Sequence, residues 1–303
     1  MNNILYNCTL CPRKCLADRS KSLGYCGGGL LPKVAKAYLH MWEEPCISGK
    51  NGSGTVFFSG CSLRCCFCQN YRISAENFGA EISTQRLAEI FLELQDKGAH
   101  NINLVSGCHY VPQIIEALDI CGDKLTIPIA YNSGGYECTE TIEMLRGYVK
   151  IFMPDMKYFD SEISMKYSSA SDYFEWASAA VGKMIEIAGY PEFDENGIMK
   201  SGVIIRHMVL PSHRRDSGKV LRFLAENFPK GSFLLSLMSQ YTPFYKSCEH
   251  KEINRRVSTY EYEKTADLVR SLGFEGFMQE RSSAKEEYTP DFDLAGVMIH
   301  GGK

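Results

Sequence analysis

The sequence predicts an α/β protein, a partial (β/α)6 barrel preceded by a small cysteine-rich module. Three observations carry this prediction. From about residue 54 onward, apolar runs rich in β-branched and aromatic residues alternate with amphipathic stretches. Nine of the 13 cysteines fall within the first 68 residues, and the first 53 residues show no such alternation. Strands that alternate with helices pair in parallel through right-handed crossovers, and six such repeats favour a barrel over an open doubly wound sheet.

The six strands are expected at 55–59, 102–105, 127–131, 149–153, 202–210 and 233–238, with a seventh candidate at 275–279. Between the first two, Leu87, Ile90, Phe91 and Leu94 follow helical spacing, with Thr84 as a cap and Gly98 as a stop. Helical patterns continue at 111–118, 139–145, 161–187, 217–228 and 260–272, the last ending at Gly273. Residues 191–197 hold an Asn-Gly pair between apolar flanks and predict a hairpin. The expected division is a cysteine-rich metal-binding module at 1–53, the barrel at 54–280 and a C-terminal extension at 281–303.

Composition narrows the function. The chain is 45% hydrophobic and 23% charged, enough for a sizeable core, and its net charge of −3 provides no basic field for nucleic acid or anionic lipid. No run approaches the roughly 18 apolar residues of a membrane span. The first residues lack a signal-peptide pattern, so a cytoplasmic protein with reduced thiols is expected. Clustered cysteines in that setting bind metal or do redox chemistry more often than they pair. The scattered Cys121, Cys138 and Cys248 are expected as buried thiols.

Directly after the first strand, Cys61, Cys65 and Cys68 form C-x3-C-x2-C, so one loop offers three thiolates to one metal centre. A structural zinc takes four protein ligands, and so does a ferredoxin-type 4Fe-4S cluster. A cluster held by three cysteines keeps one iron open for a substrate or cofactor. The competing reading is a zinc site or a set of reduced buried thiols with Cys66 as a fourth ligand, although adjacent Cys65 and Cys66 would close a tetrahedron awkwardly. In β/α barrels the loops at the C-terminal strand ends build the active site, and this loop is one of them. Upstream, Cys8, Cys11, Cys15 and Cys26 read C-x2-C-x3-C-x10-C, a metal clip for zinc or an auxiliary 4Fe-4S cluster, with Cys46 as a substitute ligand or a plain buried thiol.

The loop resembles the signature of the radical S-adenosylmethionine superfamily, C-x3-C-x-Φ-C, with Phe67 at the aromatic position. The stretches 42–49, 52–54, 101–105 and 131–133, the pair Arg206-His207 and residues 239–243 resemble a branch similar to pyruvate formate-lyase activating enzymes, across nearly the whole chain. This resemblance implies a radical SAM-type barrel, a 4Fe-4S cluster on Cys61, Cys65 and Cys68, and S-adenosyl-L-methionine chelated to the open iron. One electron then cleaves the sulfonium to give a 5′-deoxyadenosyl radical that abstracts hydrogen, while the protein supplies orientation and shielding. The implied substrate is a protein, with activation of a glycyl-radical enzyme as the branch's role, and the implied electron donor is a flavodoxin or ferredoxin. A radical enzyme acting on a small metabolite or peptide is the first alternative, and a non-enzymatic iron–sulfur or zinc scaffold the second.

The resemblance also proposes cofactor contacts. Where the superfamily carries Gly-Gly-Glu after the second strand, this chain has Ser106-Gly107-Cys108-His109, which makes Ser106 a candidate for the methionine ammonium. Gly134-Gly135-Tyr136-Glu137, after the third strand, is one residue too long for that motif. Cys108 is the candidate hydrogen donor to substrate, with a small packing residue as the alternative, and His109 is a proton donor or a helix cap. Asn132 and Ser133 are candidates for ribose or carboxylate. Asp155 and Lys157 share one face of an extended segment and would meet the zwitterionic end of S-adenosylmethionine or pair with each other. Arg206 would grip a carboxylate with its fork or be balanced by Asp155.

Overall fold

A computed structural model describes residues 2–279 and 290–298. The chain enters the sheet as β1 (Lys33–His40), passes through the short α1 (Pro45–Ser48) and returns antiparallel as β2 (Ser53–Phe58). After α2 (Tyr71–Ser74) and β3 (Ala80–Glu81), which pairs with β1, a regular alternation begins. It runs α3 (Thr84–Asp96), β4 (Ile102–Val105), α4 (Val111–Cys121), β5 (Ile129–Ser133), α5 (Thr139–Glu143) and β6 (Ile151–Pro154). Then come α6 (Ser161–Ser168), α7 (Tyr173–Ala188), β7 (Glu192–Phe193), β8 (Met199–Met208), α8 (Arg214–Asn227), β9 (Leu234–Met238), α9 (Thr259–Leu272) and β10 (Gly276–Met278).

Strands β2, β4, β5, β6, β8, β9 and β10 are parallel neighbours in that order. The six expected strands are present, and the seventh candidate is β10. Among the described residues the sheet ends at β10 on one side and at β3 on the other, so the barrel is partial. Every residue of β2, β4 and β6 is buried, as parallel strands covered on both faces require. The expected hairpin is the antiparallel contact of β7 with β8.

Local chemistry sets the helix limits. Ser83 caps α3 by accepting from the Arg86 N–H, one residue before the expected cap. Ser258 and Glu261 form a capping box on α9, and Gly273 ends it in the left-handed region. The long region at 161–187 divides because Ser169 adopts φ +51° and closes α6. Strand β1 lies within the segment expected to lack alternation. Its sequence KVAKAYLH does not alternate cleanly, because a register shift falls between Val34 and Lys36. Residues Leu294 and Ala295 hydrogen-bond to Ala35 and Ala37 of β1, while 281–289 and 299–303 of the expected extension lie outside the described residues.

Helix α1 closes the N-terminal end of the barrel. Cys46 and Ile47 pack there against Ala130, Ile151, Met153 and Ile204. Cys121 and Cys138 are buried, whereas Cys248 is exposed on a short 3-10 turn and corrects the expectation for that thiol. Among the described residues no helix is long and apolar enough to cross a membrane.

Candidate active site

A cavity of about 640 Å³ opens at the C-terminal ends of the strands and reaches down to the α1 floor. Cys61, Cys65 and Cys68 line it, and Cys66 does not. The backbone explains the difference. Cys66 donates its N–H to Tyr167 O and accepts from Lys246 N–H, which turns its side chain away from its neighbours. Each cavity thiol receives one hydrogen bond: Cys61 from Leu63 N–H at 3.4 Å, Cys65 from the Ser168 hydroxyl at 3.0 Å and Cys68 from the Ser74 hydroxyl at 3.3 Å. Burial pushes the Cys65 thiol up, against the pull of Lys157, and raises Cys68 to about 12. Three sulfurs, one buried and two half-buried, each with a donor aimed at it, fit a cationic, sulfur-preferring centre. Among the described residues no three His, Cys, Asp or Glu side chains are arranged to hold a single metal ion. A 4Fe-4S cube binds each cysteine at a different iron, so its sulfurs stand wider apart than ligands of one ion.

The ends of β4, β5 and β6 bring Ser106, Asn132, Ser133, Asp155 and Lys157 onto the same cavity. Ser106 sits at φ +59°, and its N–H bonds to Asn132 O, which fixes the turn out of β4. Asp155 and Lys157 pair with each other, and this carboxylate keeps the Lys157 ammonium charged although burial opposes it. Tyr173 ties these strand ends together. Its hydroxyl lies 2.9 Å from Gly134 O and 2.8 Å from Asp155 O, and it accepts from Lys157 N–H at 3.0 Å. Gly135 has φ +81°, and a Cβ there would meet Asp155 O at 2.1 Å, so no side chain fits. Phe67 is buried against Tyr241 and Tyr167, with ring centroids 5.7 and 6.4 Å apart, and forms an aromatic wall.

The floor is ionic. Arg206 on β8 donates Nε to Glu44 at 2.9 Å and pairs with both Glu43 and Glu44 through Nη2. Asn103 on β4 donates to Glu43 at 2.9 Å. Burial opposes the charge on Glu44, but Arg206 holds its carboxyl below the usual range. This corrects the expectation for Arg206. Its guanidinium is engaged by two carboxylates from the loop before α1, and neither a free fork nor a side-chain pair with Asp155 is present. Asp155 meets residue 206 through a backbone bridge.

Residues 55–224, more than half of the chain, match the Radical SAM superfamily. The chain belongs to the radical SAM superfamily. It is 29% identical over 282 residues to an uncharacterized protein of Methanocaldococcus jannaschii, covering 88% of this chain and 75% of that protein. Among solved structures it resembles a domain of pyruvate-formate lyase-activating enzyme from Bacteroides vulgatus, with TM-score 0.41 and 14% identity over 56% of this chain and 92% of that domain. It also resembles SuiB of Streptococcus suis, with TM-score 0.47 and 12% identity over 72% of this chain and 47% of SuiB. Methylornithine synthase aligns with TM-score 0.48 and 15% identity over 72% of this chain and 60% of that one. Membership implies a 4Fe-4S cluster and S-adenosylmethionine.

Two residues expected on the rim of this radical SAM barrel lie elsewhere. Cys108 is buried with its thiol toward Leu10 O and Glu137, and it does not line the cavity. The left-handed Ser106 turns the chain so that the following 3-10 turn points under the N-terminal segment. His109 is also buried, with its ring nitrogen 2.8 Å from Ser59 O, and burial lowers it to about 4. Glu137 stands beneath them, accepting from the Tyr131 hydroxyl at 3.2 Å, and burial raises it to about 7. The cysteines at 8, 11 and 26 are buried and Cys15 is exposed. Sequence reasoning missed Ser74, Ser168, Tyr173, Glu43 and Glu44. Only the last two carried a signal, an adjacent acidic pair before a proline in an otherwise apolar stretch.

Proposed function

We propose that this radical SAM enzyme holds a 4Fe-4S cluster on Cys61, Cys65 and Cys68 and abstracts hydrogen from a protein substrate, with a glycyl radical as the product. The observation that carries the reading is the convergence of three hydrogen-bonded thiols and the polar ends of three strands on one cavity. When bound, the cluster and S-adenosylmethionine supply one-electron cleavage and a carbon radical. Flavodoxin or ferredoxin is the proposed electron donor.

The chain's own residues then have separable tasks. Ser168, Ser74 and the Leu63 N–H orient the three sulfurs and stabilise their negative charge. Lys157 and Asp155 present a fixed ammonium and carboxylate to the amino-acid end of the nucleoside ligand, with Asn132, Ser133 and Ser106 as further polar contacts. Tyr173 holds that pair rigid. Phe67 and Tyr241 exclude water from the sulfurs, and the Arg206–Glu43–Glu44 network closes the bottom. Among the described residues the sheet ends at β10 and β3, and a lateral way in there would admit a peptide segment or a small molecule alike.

The test is anaerobic incubation with reductant, S-adenosylmethionine and a candidate glycyl-radical protein deuterated at glycine. Deuterium in 5′-deoxyadenosine is expected, together with a glycyl doublet by electron paramagnetic resonance when the undeuterated protein is used. Cleavage without deuterium transfer would shift the substrate to a small metabolite or peptide, and absence of cleavage would leave a scaffold.

A further inference from the structure

Two of the four N-terminal cysteines, Cys8 and Cys26, face a buried cation that lacks a carboxylate. Arg19 is 3% exposed, and its Nη2 lies 3.0 Å from Cys8 Sγ and 3.8 Å from Cys26 Sγ. Its Nη1 donates to His109 O, and Nε has no partner. Among the described residues no ion pair reaches it. Neutral thiols are weak acceptors and do not balance a buried guanidinium, whereas four thiolates on an iron–sulfur cluster carry the negative charge that would.

The same segment grips the loop that carries Cys61. The carbonyl of Cys26 accepts from Cys61 N–H at 3.0 Å. Arg13, between Cys11 and Cys15, donates Nε to Ser62 O at 2.9 Å and also reaches Ser168 O at 3.1 Å and Ser169 O at 2.5 Å. Tyr25 lies between Arg13 and Arg64, with guanidinium carbons 4.6 and 5.3 Å from its ring centre. Gly60, at φ +92°, leaves room for this contact, since a Cβ there would stand 2.5 Å from Cys26 O. Backbone, guanidinium and aromatic contacts thus tie residues 13, 25 and 26 to residues 61, 62 and 64.

We infer that Cys8, Cys11, Cys15 and Cys26 hold an iron–sulfur centre, since no three of them are arranged around a single ion, with Arg19 as its counter-cation, and that this centre braces the Cys61 loop. The bracing half rests on the reading of that loop as a cluster site, and the metal centre itself does not. Arg13 and Tyr25 are positioning residues.

The test uses the full chain purified anaerobically. With Cys61, Cys65 and Cys68 all changed to Ala, metal analysis is expected to find about four irons per chain. About one zinc in place of iron overturns the cluster. A folded variant without iron overturns the centre as well, whatever the loop of the unaltered chain binds. For the bracing, Arg13→Gln leaves all seven cysteines in place. It should keep the N-terminal metal and lose barrel iron to a chelator roughly tenfold faster than the unaltered chain. Arg13→Lys should restore part of the difference. Equal rates of iron loss, with both proteins folded by circular dichroism, overturn the bracing. The response of the spectrum to S-adenosylmethionine, recorded on the unaltered chain, checks the cluster reading separately.

Discussion

The hydroxyl of Ser168 donates to the sulfur of Cys65 across 103 residues of sequence, at 3.0 Å, and is itself 2.8 Å from the Tyr158 hydroxyl. A hydrogen bond to a cluster sulfur stabilises the reduced, more negative state. Ser168→Ala should therefore make the barrel cluster harder to reduce, and Ser168→Thr should recover most of the change. A redox titration followed by electron paramagnetic resonance checks this. An unchanged midpoint in the Ala variant would remove Cys65 from the ligand set.

Cys66 provides the internal control for the ligand assignment. Single changes of Cys61, Cys65 or Cys68 to Ala should abolish the spectral response to S-adenosylmethionine, and Cys66→Ala should preserve it. Equal loss in all four variants would place Cys66 among the ligands.

The Asp155–Lys157 pair is mostly buried, with side chains 20% and 17% exposed. Asp155→Asn leaves an ammonium without its partner in low dielectric, so it should cost about 3 kcal/mol of stability. Lys157→Met in the same chain should return part of that loss, at the expense of S-adenosylmethionine binding. Urea titration and equilibrium dialysis separate the two effects.

These residues divide by how far the sequence reveals them. Runs such as Ile102–Val105 announce themselves, because a strand buried on both faces must be apolar throughout. The cysteine loop is equally legible, since its ligands are close in sequence. Arg206 was legible as an inward charge but not as a partner of Glu43 and Glu44, which arrive from a loop 163 and 162 residues away. Ser168 and Tyr173 are ordinary helix residues until the fold lays α6 and α7 across the strand ends. Cys108 misleads because rim position follows from strand order, whereas its direction depends on one left-handed residue, Ser106.

Glu137 gives the chain a pH dependence with a definite sign. Its folded value, about 7, lies above its ordinary value of 4.5, so between these limits the native state holds a proton that the unfolded chain has released. Stability contributed by this proton is full below pH 4.5 and falls as pH rises, by roughly 3 kcal/mol once pH exceeds 7. Glu137→Gln should remove that decline. His109 titrates in both proteins and cancels in the difference. Parallel stability curves from pH 4.5 to 8 would show Glu137 to be an ordinary carboxylate.

Cys108→Ala should leave S-adenosylmethionine cleavage and substrate turnover unchanged and lower stability by about 1 kcal/mol, because the thiol fills space beneath Leu10. Turnover lost with cleavage retained would return Cys108 to a donor role.

The straps of Arg13 reach Ser168 and Ser169, which follow it by 155 and 156 residues. At a synthesis rate of about 5–20 residues per second, these anchors leave the ribosome roughly 10–30 s after Arg13 does. During that interval the cysteines around it lack their native surroundings and are open to oxidation. Assembly of the N-terminal segment is thus a late event although its residues are made early. For the proposed second centre, iron supply and a reducing environment at that moment would bear on the yield of intact protein.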